Sequence, residues 1–114
     1  MDIKIIAENI TIDELKKIAK VYYVSMIKGV VDIDKEIIAF GGEYHIDANN
    51  ILLENGSDQS DLWGFNIVFD KSVESWIEYT SLINIRPLAK NFDMEVQDIS
   101  IRNRMKEIIN SKIK

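Results

Sequence analysis

Cysteine is absent from the 114 residues, so neither a disulfide framework nor a thiolate metal site is available, and nothing points to an oxidising compartment. The expected location is the cytoplasm. No apolar run approaches the ~20 residues that a membrane-spanning helix needs, and the N-terminal Met1-Asp2-Ile3-Lys4 lacks a basic stretch followed by a long apolar one. A soluble, unexported protein with no membrane contact is expected. Histidine occurs once, at His45, so Ser57, Ser60 and Ser81 have a single candidate base that nothing in the sequence places beside them. Serine catalysis is disfavoured. No glycine-rich phosphate loop of either standard spacing occurs, and Glu54, Asp58 and Asp61 around Gly56 lack the EF-hand spacing, which leaves a solvated acidic loop.

Bases are also scarce over most of the chain. Residues 1–85 carry seven Lys/Arg against fifteen Asp/Glu, residues 86–114 carry seven against four, and the formal net charge is -5. Such a field disfavours nucleic acid as a partner, although a local basic patch can still meet phosphates. The apolar content of 46% is ample for one core, and the chain reads as a single α+β domain over 1–114.

What is present is strong patterning. Ile3 to Ile6 reads as a first strand. Thr11 followed by Glu14 makes a capping box, Ile10 and Leu15 fit a hydrophobic staple, and Leu15, Ile18, Ala19 and Tyr22 recur at helical spacing, which predicts a helix over about 12–23. Met26 to Ile33 and Ile37 to Phe40 are β-branched runs joined by the charged turn Asp34-Lys35-Glu36. Residues 48–55 are open to either state, with a strand at Ile51 to Glu54 favoured. Trp63, Phe65, Ile67 and Phe69 alternate with Gly64, Asn66, Val68 and Asp70 as in a strand with an aromatic core face. Ile77, Tyr79, Ile83 and Ile85 predict a long last strand that Pro87 stops. Asp98 caps a final helix with an Ile101, Met105, Ile108, Ile109 stripe. The expected fold is α+β: an antiparallel β-meander sheet with an N-terminal and a C-terminal amphipathic helix packed on one face, the other face being solvated or a binding surface.

Special residues concentrate between Gly41 and Asn66, which hold four of the five glycines and the sole histidine. If residues 43–47 continue a strand, Glu43, His45 and Asp47 share a face and could bind a divalent ion such as zinc or manganese, or pair as acid and base. The common alternative is a row of ordinary polar residues on a half-solvated strand. Asn66, Asn84 and Arg86 would occupy the face away from the helices, where Arg86 could hold a carboxylate or phosphate or else make a structural ion pair. On the same register Trp76 would lie on that face and mark an interface.

Together, Gly41-Gly42-Glu43-x-His45-x-Asp47, Gly56-Ser57-x-Gln59-x-Asp61-Leu62-Trp63-Gly64-x-Asn66 and Ile83-Asn84-Ile85-Arg86-Pro87 resemble a small family of bacterial and archaeal proteins of unknown function. The resemblance spans nearly the whole chain and implies no known activity. In the family pattern a Gln-Gly-Asn loop with further arginines follows Arg-Pro and implies an anionic ligand. Here Leu88-Ala89-Lys90-Asn91-Phe92-Asp93-Met94-Glu95 keeps only Asn91 of that loop.

The leading expectation is a non-enzymatic module that binds a small ligand or a protein partner through His45, Asn66, Asn84 and Arg86, with no cofactor. A second is a metal-assisted enzyme of the hydrolase type, with a divalent metal on Glu43, His45 and Asp47. A third is a structural self-association module, a homodimer formed through Trp76.

Overall fold

A computed structural model describes residues 2–114. It contains β1 (Ile3–Ile6), α1 (Ile12–Ala19), β2 (Met26–Asp32), β3 (Ile37–Gly41), α2 (His45–Glu54), β4 (Leu62–Val68), β5 (Ile77–Glu78) and α3 (Ile99–Lys112), with short 3-10 turns at Gln59–Asp61, Leu82–Asn84 and Pro87–Ala89. The five strands form one antiparallel sheet in the order β1-β3-β2-β4-β5. This is the expected antiparallel α+β architecture, with α1 and α3 packed on one face, but the sheet is not the expected meander: the chain leaves β3 through α2, and β4 pairs with β2 rather than with β3.

That face holds most of the core. Ile27, Val31, Ile38, Phe40, Trp63, Phe65 and Ile67 point into it from the sheet and meet Leu15 and Ala19 of α1 and Met105, Ile108 and Ile109 of α3. Phe40 and Phe65 meet edge to face, with ring centroids 5.8 Å apart. The helix starts follow their sequence signals. The Thr11 hydroxyl accepts from the Glu14 N–H while Glu14 reaches back to the Thr11 N–H, and the Asp98 carboxylate accepts from the N–H groups of Ser100 and Ile101. The C-terminus is tied down as well. Ile113 bridges Ile10 in parallel, and Lys112 Nζ donates to the Ala7 carbonyl at 2.8 Å.

Three further expectations are corrected. First, residues 43–47 do not extend β3. Gly41 and Gly42 have φ of 115° and 88°, a region that side chains rarely enter, and they turn the chain out of the sheet so that a helix begins at His45. Glu43, His45 and Asp47 therefore share no strand face, and Ile51 to Glu54 is helix rather than strand. Second, the last strand is only Ile77–Glu78. Beyond a single bridge from Thr80 to Glu95, Ser81 accepts from the Ile83 N–H and bends the chain into a turn. Third, Trp76 is buried among the core residues of the α1/α3 face and offers no exposed anchor for a dimer.

The opposite face is not bare. Ala48 and Leu52 of α2 pack on Val30, Ala39 and Leu62, and Ile83 from the turn after β5 joins the same cluster. Asp32 stitches the edge of this layer. Its buried carboxylate accepts from the N–H groups of Asp34 and Lys35 and from the Ser57 hydroxyl at 2.6 Å, tying the β2–β3 turn to the loop after α2.

Candidate functional site

The second face is covered in two pieces, α2 and the segment 80–94, and a pocket of about 320 Å³ lies in the seam between them. Lys28, Asn66 and Glu78 are successive cross-strand partners on β2, β4 and β5, so their side chains rise from the same side of the sheet. Lys28 and Asn66 form the floor, with His45 beside them. The walls are mainly apolar: Tyr44 and Ile46 from the start of α2, and Leu82, Ile83 and Met94 from the facing segment. An apolar pocket with a few convergent polar groups is the usual form of a small-molecule site.

His45 occupies the first position of α2 and turns its ring inward, with Nε2 2.8 Å from the Phe65 carbonyl. A carbonyl only accepts, so Nε2 carries the proton and Nδ1 presents a lone pair. Burial is the main cause that lowers the His45 pKa to about 4; the Phe65 carbonyl opposes it, the Lys28 charge adds to it, and the Asn66 side chain, which would accept from a protonated ring, opposes it more weakly. The ring is thus neutral at ordinary pH. Asn66 is buried, its Nδ2 is 3.5 Å from a Glu78 carboxylate oxygen, and its Oδ1 has no partner among the described residues. Neutral His45 cannot supply one, because its only proton goes to Phe65.

Lys28 is half-buried. Its ammonium lies over the Tyr23 ring, 5.4 Å from the centroid, and the Tyr23 hydroxyl donates to the Glu43 carbonyl at 2.7 Å. This chain of contacts holds the ammonium near the start of α2. Lys28 makes no hydrogen bond or ion pair among the described residues, and burial lowers its pKa despite the opposing influence of Glu78. The Tyr44 side chain does not cap α2, and the N–H groups of His45 and Ile46 take no partner among the described residues.

A larger, more open groove of about 420 Å³ lies on the other side of Asn66. Its basic groups are already engaged: Lys71 pairs with Glu78 at 3.5 Å, and Arg102 stacks on Tyr79 at 4.5 Å. The seam pocket is therefore the better candidate, despite its smaller volume.

The four residues expected at a ligand site separate into two pairs. His45 and Asn66 meet at the pocket. Asn84 is fully buried behind it: Oδ1 accepts from the Gly64 N–H at 2.8 Å, and Nδ2 donates to the carbonyls of Gly64, Met94 and Tyr79. Its amide stands in for a neighbouring strand where β5 has stopped. Gly64 permits this, since a Cβ there would lie 2.6 Å from that of Ser81. Arg86 is at the far end of β4, stacked on Trp63 at 4.2 Å and donating to the carbonyls of Leu62, Ser60 and Ile83. Its donors serve the protein backbone. Of the other trio, Glu43 is exposed and His45 is buried, while Asp47 is half-buried on a different side of the helix. Among the described residues no three His, Asp or Glu side chains are grouped as a metal ion would require.

Sequence reasoning missed Lys28 and the bare start of α2. Lys28 had a signal, as the sole charge within the otherwise apolar and glycine run from Met26 to Val31. The family model described as "Protein of unknown function (DUF5674)" matches residues 4–112. Neither a curated protein nor a solved structure matches the chain.

Proposed function

We propose that this chain, which belongs to the DUF5674 family, is a binding module that holds a small molecule in the seam between the start of α2 and residues 80–83. The observation that carries this reading is the buried, unpartnered Oδ1 of Asn66 on the floor of an apolar-walled pocket. An unpaired buried acceptor destabilises a fold by roughly 1–3 kcal/mol, a penalty that a ligand donor removes. The chemistry of the pocket supports binding over turnover. With its pKa at about 4, His45 is a weak base at neutral pH, and among the described residues no hydroxyl is hydrogen-bonded to its ring.

The test is a fragment titration of isotope-labelled protein at neutral pH, following the His45 ring and the Asn66 side-chain amide. Small apolar fragments with one polar end should shift both sets of resonances, and Ile46→Trp, a substitution at the exposed rim, should abolish the shifts while leaving the melting temperature unchanged. If no fragment moves either set at millimolar concentration, the pocket is not a binding site.

A further inference from the structure

Resting on that pocket assignment, we infer that its ligand is a compact apolar carboxylate bearing an adjacent N–H donor, the chemistry of an apolar α-amino acid, free or N-acylated. Three unmet requirements converge on this chemistry. The Lys28 ammonium has no hydrogen-bonded or ionic partner among the described residues, and the Tyr23–Glu43 contact holds it beside the start of α2. The free N–H groups of His45 and Ile46 add two donors and the positive end of a ten-residue helix. Donors of both kinds call for an anionic acceptor.

The third requirement has the opposite sense. Asn66 Oδ1 and the His45 Nδ1 lone pair are acceptors with no proton between them, so the ligand must bring a donor next to its anion. A simple fatty or aromatic acid supplies the anion but leaves these acceptors bare. One lysine and two backbone N–H groups match a single negative charge, whereas a phosphate dianion would remain undercompensated in a protein of net charge -5. Leu82, Ile83 and Met94 leave the remaining volume to an apolar side chain.

The test compares leucine, N-acetylleucine, leucinamide, 4-methylpentanoate and isopentanol by the same resonance titration. Leucine or N-acetylleucine should bind roughly tenfold or more tightly than leucinamide, which lacks the carboxylate, and than 4-methylpentanoate, which lacks the N–H donor. The ranking of leucine against N-acetylleucine separates a free amino acid from the end of a peptide. Lys28→Gln should erase the preference for a carboxylate, and Asn66→Leu the preference for the N–H donor. Should isopentanol and leucinamide bind as well as the acids, the ligand class is overturned while the pocket stands. If none of the five shifts His45 or Asn66, both proposals fall.

Discussion

Asn66 on β4 and Asn84 at the edge of β4 are both buried, yet their amides are satisfied in different ways, and opposite substitution effects follow. Asn84 makes four hydrogen bonds with no exposure, so Asn84→Ala leaves the Gly64 N–H and several carbonyls unpaired. A loss of about 2–3 kcal/mol is expected, measured as a lower urea midpoint. Asn66 carries an unmet acceptor, so Asn66→Leu should leave the urea midpoint unchanged or raise it even as it removes ligand discrimination. His45 gives a third prediction. Its folded pKa of about 4 lies below the ordinary 6.5, so between these values the unfolded chain takes up a proton that the folded chain refuses. Stability from this source is present above pH 6.5 and declines as pH falls to about 4, by roughly 3 kcal/mol over the window. Urea unfolding at pH 7.5 and 4.5 should show a smaller drop for His45→Gln than for the parent chain.

The elements that were legible from sequence are those whose buried positions are apolar. β2, β3, β4 and α3 follow their capping residues and periodicities closely; α1 starts at its Thr11 cap as expected but ends at Ala19, short of 23, which leaves Tyr22 exposed outside it. In α2 the buried positions are His45, Ala48, Asn49 and Leu52, which have helical spacing, but two of the four are polar. Counting only apolar residues therefore conceals the helix. Asn49 is at home there because it exchanges two hydrogen bonds with Gln59, at 2.8 and 2.9 Å. The alternation from Ile77 to Ile85 misled for the complementary reason: a period of two persists through Ser81, but Asn84 takes the strand's place beside Gly64. The site was half legible. His45 and Asn66 stood out by residue type, while the bare start of α2 required knowing that a helix begins there. Two substitutions test the element boundaries. Thr11→Ala should cost about 1 kcal/mol through loss of the cap, with unfolding still cooperative. Asp32→Ala should cost about 2–3 kcal/mol by releasing three hydrogen bonds to a charged group, and it should raise amide exchange selectively in residues 34–35 and 56–58.

At the scale of the whole molecule, the sheet is a rigid floor with a continuous core on the α1/α3 face, while the other face carries two covers that meet at the pocket. A ligand bridging the covers adds stability by mass action, about 2.7 kcal/mol at one hundred times its dissociation constant. Thermal melts in the preferred amino-acid derivative should rise accordingly, and Lys28→Gln should blunt the rise without changing the melting temperature of the free protein. The Arg86–Trp63 stack gives this arrangement an optical handle. Both indoles are buried, with no partner for their N–H groups among the described residues, so both should fluoresce at short wavelength, but Trp63 has a guanidinium across its ring, brought by Arg86 from the 80–94 segment. Release of Arg86 from that ring would change the surroundings of Trp63 and not those of Trp76, so a shift in the Trp63 emission would make the chain its own fluorescent gauge of that segment.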